Sequence, residues 1–525
     1  MNCSELKMDS RSKHLGNDTS WVIIHVAALT VLLLFPVFSQ PVTSDFWISR
    51  NHEWMLDLGG GWEIHTLFQP MQSTSFERYY GAKKQAPKFW PAKDLTDYWK
   101  NIVCIREKNK NSMIFENKIG FLGQVSDSNP SERRKSFGSP YWIFEADYRN
   151  FFLESYLRST SDQGAIPHFT GHPRDIRRFG LNSAEFDHAS IGYWNDWLLV
   201  SYGRGRQVWG PFGSENPVLS DISAAYDHIS AHFKYKSITG AFFTGYLESV
   251  PDLETVQIRY IAGHGVQYSN HKNFLASLSE ITVYSGPNRR FDWTYLNPVT
   301  PHLDTELNDR ENLPYTVANA SNAVWAASID WMLKYRFRFS ATYLLDEFQL
   351  DKKDLDKGRP NATALRVRLS KSFWTGRSAW LLHSAYSRVG TYTFQHGSGF
   401  SSFTSRGLAL GMPEGSDFYS INAGIAWIPA IRLRIGIEYN YIRSGENNLM
   451  NHPYEPYEKF TSVPFPSGVN TIQRETQIRL LYSARSYIEL ETGYDISNIV
   501  TSSKKNDFRR IFLQVNCHIP SVGAW

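Results

Sequence analysis

The sequence predicts an all-β fold: a transmembrane antiparallel β-barrel of about 16–18 strands with a small N-terminal periplasmic or plug segment. Alternation, strand length and aromatic content predict it. Residues 431–441 read Ile-Arg-Leu-Arg-Ile-Gly-Ile-Glu-Tyr-Asn-Tyr, with every odd position aliphatic or aromatic. Successive strand side chains point to opposite faces, so one face is oily and the other polar. Such runs last about ten to thirteen residues, against roughly five or six in a usual soluble strand. Tilted transmembrane strands need about nine to eleven. Aromatics make up 15% of the chain, with 17 Trp and 28 Tyr, which suits girdles at two bilayer interfaces. A large soluble β-sandwich also alternates, but it does not need strands this long.

The pattern recurs. In residues 488–496, Ile488, Leu490, Thr492, Tyr494 and Ile496 oppose Glu489, Glu491, Gly493 and Asp495. In residues 363–373, Leu365, Val367, Leu369 and Phe373 oppose Arg366, Arg368 and Ser370. In residues 323–335, Trp325, Ile329, Trp331 and Leu333 oppose Asn322, Ser328, Asp330 and Lys334. A lipid-facing Arg or Lys at mid-bilayer costs roughly 2–4 kcal/mol. Turning Arg432 and Arg434 outward would therefore cost about 4–8 kcal/mol in one strand. The apolar set is expected against lipid and the charged set in a polar lumen.

Residues 1–39 have the features of a secretory signal. Lys7, Arg11, Lys13 and His14 precede an apolar stretch from Trp21 to Phe38, and Val37-Phe38-Ser39 offers a cleavage site before Gln40. An uncleaved anchor is the alternative, although the stretch is short for a span and carries His25 and Pro36. Residues 40–140 form an N-terminal region in which the alternation weakens. An early strand is expected at Trp62, Ile64, Thr66 and Phe68, and a short helix or plug near Asp94–Arg106. The barrel is expected over 141–520 and a tail over 521–525, because Pro520 and Gly523 interrupt the last strand.

Hairpins follow at 188–194 with 197–203, 226–236 with 238–248, and 256–261 with 274–285. Clearer ones are 322–335 with 337–347, 362–374 with 379–389 and 418–428 with 430–443, then strands at 471–483, 487–497 and 508–519. Trp427-Ile428-Pro429-Ala430 reads as a tight periplasmic turn, since Pro cannot donate to a ladder. The polar connections 349–361, 391–416 and 444–470 suit extracellular loops.

Composition excludes several classes. Basic and acidic residues number 55 and 51, too even a balance to argue for nucleic acid. The three cysteines, Cys3, Cys104 and Cys517, form neither a metal-ligand spacing nor a disulfide framework. Cys517 shares the apolar phase of Ile511, Leu513, Val515 and Ile519 and reads as a small hydrophobe. No nucleophile elbow, zinc-protease helix or phosphate loop occurs, so no catalytic residue, cofactor or metal is expected. Asp351, Asp354 and Asp356 sit among Lys352, Lys353 and Lys357, a solvated charged loop rather than a calcium site.

Residues 203–220, Gly-Arg-Gly-Arg-Gln-Val-Trp-Gly-Pro-Phe-Gly-Ser-Glu-Asn-Pro-Val-Leu-Ser, resemble the signature of the Wzi-type capsule assembly proteins. Arg206, Trp209, Gly210, Pro211, Leu219 and Ser220 fill its places. Ser279-Glu280, Tyr295-Leu296-Asn297-Pro298 and the stretch from Leu345 through Asp346 and Glu347 to Asp351 look like later blocks. The chain departs from the pattern at Gly263-His264-Gly265, where the family usually has His followed by Arg. The resemblance spans about residues 185–520 and implies an outer-membrane barrel of about eighteen strands, closed by a helical element, that holds capsular polysaccharide as a lectin.

On that reading the protein is not an enzyme. Its partners are a capsular or exopolysaccharide, outer-membrane lipids and the barrel-assembly machinery, and it is expected to be a monomer. Sugar binding needs flat aromatic faces beside donors and acceptors. Trp293, Tyr295, Tyr392, Tyr454, Tyr457 and Phe460 are the candidates. Arg206, Trp209, Gly210, Pro211, Ser220, His264, Glu280, Asn297, Pro298, Asp346 and Glu347 are the motif residues, expected as a lumen network. Two other readings are a porin-like channel for small polar solutes, suggested by the charged interior, and a hydrolase built on His264, Ser269 and His271.

Overall fold

A computed structural model describes parts of residues 53–69, residues 113–129 and, with breaks, residues 136–524. The longest breaks fall at 311–320 and 348–360. The signal segment, Cys3, Cys104, the expected helix at 94–106, the Asp351–Lys357 cluster, Tyr457 and Phe460 lie outside the described residues.

The stub β1 (Phe68–Gln69) precedes the wall. The wall begins with β2 (Met113–Asn129), β3 (Phe137–Tyr148), β4 (Phe151–Thr160), β5 (Ser183–Trp194) and β6 (Leu198–Gly205). A second stub, β7 (Val208–Trp209), pairs with β1. Then come β8 (Tyr226–Tyr235), β9 (Ile238–Asp252), β10 (Thr255–Ser269), β11 (Phe274–Pro287) and β12 (Ser321–Met332). They are followed by β13 (Phe337–Glu347), β14 (Ala362–Thr375) and β15 (Ser378–Val389). A small hairpin, β16 (Thr404–Ser405) with β17 (Leu408–Ala409), sits in the next loop. The wall ends with β18 (Phe418–Ala430), β19 (Leu433–Ser444), β20 (Thr471–Arg485), β21 (Ile488–Thr501) and β22 (Lys504–Ala524). β22 pairs antiparallel with β2, so eighteen strands close into a barrel. Closure pairs the edges that an open sheet would leave bare in hydrocarbon.

All the long loops fall at one rim of the barrel. The start of β2 and the end of β22 meet at the short-turn rim, where Ile114 pairs with Ala524. The alternation read from sequence sets the faces. Leu278, Leu369 and Ile437 are 60%, 51% and 49% exposed on the outer wall, while Arg368, Arg434 and Asp495 are buried inside. Cys517 lies on the outer phase with Ile511, Leu513 and Ile519, the apolar company expected for it.

Several boundaries differ from expectation. The wall starts at Met113 rather than 141, because β2 and β3 are full members of the sheet. Among the described residues of the expected early strand, Phe68–Gln69 is strand, and Trp62 and Phe68 are buried. β22 runs through Pro520 to Ala524. Its pairing with β21 stops at Cys517, so beyond that point Pro520 has one neighbour and its missing N–H breaks no bond on the open side. The turn expected at 427–430 falls after Ala430, which leaves Arg432 exposed and Arg434 as the lumen arginine.

The lumen has two layers. Toward the long-loop rim the inward side chains are apolar: Leu247, Ile261, Val283, Val324, Leu344, Val389 and Phe418. Beneath them they turn polar, with Asp330, Arg338, Arg366, Arg368 and Ser370. An apolar inner surface is stable only if something apolar fills it.

Candidate functional site

Three long loops supply the filling. Trp209, Val218 and Leu219 come from residues 206–225, Phe394, Phe403, Leu410 and Met412 from 390–417, and Leu449 from 445–470. Polar bonds lock the loops together. The Ser220 N–H donates to Leu410 O at 2.9 Å, and the Ser220 hydroxyl to Gly411 O at 2.6 Å. Asp417 accepts from the Thr391 hydroxyl at 2.8 Å and from the Ser467 N–H at 3.0 Å. Arg259, fully buried on β10, donates to the carbonyls of Phe400, Ser402 and Thr404, pairs with Glu248, and lies 5.0 Å from the Tyr454 ring centre.

The Trp-Gly-Pro step is where the first loop meets the N-terminal segment. Phe68 packs on Trp209 with ring centres 4.6 Å apart. The Gly210 N–H donates to Leu67 O at 2.7 Å. Gly210 holds φ at +124°, and a Cβ there would strike the Asn216 amide. Only glycine combines that backbone with that approach. Arg206 grips Asp187 through both terminal nitrogens, at 2.9 and 2.8 Å, a charge-assisted fork.

The N-terminal segment fills the middle of the barrel. Asp57 accepts from Arg368 at 2.9 and 2.7 Å, from Arg338 at 3.0 Å and from Ser370 at 2.7 Å. Burial alone would raise the Asp57 carboxyl, but the guanidiniums of Arg368 and Arg338 outweigh it and hold the group well below the usual carboxylate range. His65 donates to Asp330 at 2.7 Å, and burial keeps its own proton affinity below the ordinary imidazole value. Gln267 accepts from the Leu67 N–H at 2.6 Å. A cavity of about 450 Å³ remains, lined by Trp54, Arg434, Arg479, His383, Glu438 and Glu491 among others.

The third feature lies outside the barrel. Along β11, Ser277 and Ser279 face the lumen while Leu278 faces lipid; above that point the polarity inverts. Ile281 and Val283 point inward into the apolar layer, and Glu280, Thr282 and Tyr284 point outward yet are buried. The chain after β11 covers them. Arg289 packs on the Tyr284 ring, Tyr295 stacks on Tyr284 with centres 4.1 Å apart, and the short helix His302–Leu307 sits over Glu280. The Glu280 carboxylate accepts the His302 N–H at 2.7 Å and the Leu303 N–H at 3.0 Å. We call residues 288–307 the strap. Its own outer side exposes Trp293, Val299 and Leu303 alongside Arg290 and Asn297.

These positions revise the expected lumen network. Arg206, Trp209, Gly210, Pro211 and Ser220 are at the lumen mouth, and Asp346, the extra residue of a bulge, accepts the Phe394 N–H there. His264 and Glu280, paired across β10 and β11, stand on the outer wall, not in the lumen. Asn297 and Pro298 are exposed in the strap, where Asn297 caps a turn by accepting from the Val299 N–H. Of the sugar candidates, Tyr295 and Tyr392 are buried, Tyr454 is partly buried, and Trp293 is 74% exposed on the strap. Ser269 is a lumen residue and His264 an outer one, so the strand itself separates the two groups a hydrolase would need together. Asp57, Arg338 and Arg259 went unnoticed in the sequence; a polarity inversion within a strand was the readable signal for the loop seal and the strap.

No protein-family model matches the chain, and no curated protein matches it in sequence. Among solved structures it is similar to Wzi of Escherichia coli, described as an outer membrane protein involved in group 1 capsule assembly and a carbohydrate-binding β-barrel. The TM-score is 0.61 at 12% identity, over 92% of this chain and 99% of that one. The molecule is an outer-membrane β-barrel. OpdO and OprD of Pseudomonas aeruginosa are more distant, each with a TM-score of 0.42 and 8% identity over 78% of this chain, and 97% and 95% of their own. These likenesses concern the fold.

Proposed function

We propose that this barrel retains a capsular or exopolysaccharide at the cell surface and is neither a solute channel nor an enzyme. The observation that carries the reading is the loop seal: three loops are fixed to one another over an apolar layer inside the mouth. A channel needs a wet path, whereas a binding face needs loops held still. The outer side of these loops exposes Ser398, Arg406, Asn447, Asn451, His452 and Glu455, a set of donors and acceptors suited to sugar hydroxyls. The E. coli Wzi barrel, described as carbohydrate-binding, supports the same reading through its fold. The buried tyrosines are left out of the binding face; they hold the loops and strap in place. Deleting the gene should leave polymer synthesis intact and release polymer into the medium. Loss of the polymer altogether, or polymer still attached to the cells, would overturn the proposal.

A further inference from the structure

Beneath the strap, His264, Glu280 and His302 bring one ligand atom each to within 4.8 Å of one another. His264 Nε2 lies 3.1 Å from Glu280 Oε2, and the two imidazole rings meet edge to face with centres 4.5 Å apart. The three come from β10, β11 and the strap helix, so sequence spacing gives no hint of them.

Each is held from behind. Glu280 is oriented by the two backbone N–H groups of His302 and Leu303. His302 Nδ1 is 3.2 Å from the Thr282 hydroxyl, and its ring packs against Tyr295 at 5.3 Å. Outer contacts that fix ring and carboxylate orientation are the usual support of a metal ligand. His264 Nδ1 is buried with no hydrogen-bond partner among the described residues. An orphaned imidazole nitrogen on a lipid-facing phase costs free energy that a bonded cation would recover.

We infer that His264, Glu280 and His302 form a site for a divalent transition-metal ion of the zinc type, which fastens the strap to the outer wall. Two imidazoles and one carboxylate suit zinc and leave a fourth position open. Magnesium and calcium are disfavoured, because they prefer more oxygen ligands than this cluster offers. The ion would offset the Glu280 charge where the wall otherwise meets hydrocarbon. It would also join two wall strands to a segment that hydrogen bonds and ring stacking now hold.

The test uses the full-length protein in detergent, stripped with a chelator and titrated with zinc, then with cobalt as a spectroscopic probe. One zinc per barrel and cobalt bands of low-symmetry coordination are expected. His302→Ala and Glu280→Gln should weaken uptake by roughly tenfold or more, while His172→Ala, exposed in the loop after β4, should take up zinc as wild type does. Because a variant can misfold, the wild type carries a second readout. Zinc should slow tryptic cleavage at Arg290, exposed in the strap, and at Arg310, exposed just after it. No stoichiometric uptake, uptake unchanged in His302→Ala, or a cleavage rate indifferent to zinc would each overturn the site. None of these results bears on polysaccharide retention, which the gene deletion tests separately.

Discussion

At the residue scale, one carboxylate organises the lumen. Asp57 lies between two buried guanidiniums on neighbouring strands, β13 and β14, and also takes the Ser370 hydroxyl. Removing one partner of a buried ionic group typically costs about 3–5 kcal/mol, because the charges left behind stay desolvated. Asp57→Ala should therefore lower the thermal midpoint of the folded-to-unfolded gel shift and speed proteolysis of residues 53–69. A variant as heat-stable and protease-resistant as wild type would refute that role. The pH dependence has a definite sign. A carboxyl held below its ordinary value stabilises the fold fully above that value, near pH 4, and loses the contribution as pH falls through its lowered value. The Asp57 contribution should thus be flat from about pH 8 to 5, whereas His65, buried below its ordinary proton affinity in the same segment, should make docking weaken as pH falls below about 6.5.

At the element scale, each strand is a record of what lies on its two sides. In β14, Leu369 is half-exposed to lipid while Arg368 and Ser370 are buried on the other face. Leu369→Arg should destabilise the barrel by about 2–4 kcal/mol, although an arginine one position earlier is native. Equal unfolding midpoints for Leu369→Arg and wild type would count against the assigned faces. Strands of this kind were legible in the sequence because lipid and water demand opposite chemistry. β4 was not: Phe152 turns inward to pack with Trp194 and Leu199, so the alternation of Phe151-Phe152-Leu153-Glu154 is blurred. β2 was hidden by polar outer positions, Asn117 and Asp127, among Phe115, Ile119, Phe121 and Val125. β11 keeps its alternation throughout, but Glu280 marks the point at which filling moves from outside to inside. Two of the sugar-binding candidates, Tyr295 and Tyr392, are buried for a related reason. Composition brings aromatics to a rim, but only packing decides whether a ring faces solvent or, like Tyr295, a neighbouring ring.

At the scale of the whole molecule, the loop seal and the N-terminal segment obstruct the lumen at different heights. Purified protein in planar bilayers should show almost no conductance. Stable large steps would favour the channel reading over retention. The 450 Å³ cavity fits this picture, since it is large enough for water or a small solute yet bounded above by Gly210, Pro211 and Phe212.

The position of Asp57 in the chain also ties the docking of the early segment to the closing of the barrel. The segment that neutralises Arg338 and Arg368 precedes β2, whereas the strand that shuts the cylinder against β2 is β22. An unsealed sheet would leave both guanidiniums facing an empty interior until that early segment threads between them. A cylinder closed without that segment would hold two buried and unneutralised arginines, so docking of the segment completes what the seam begins.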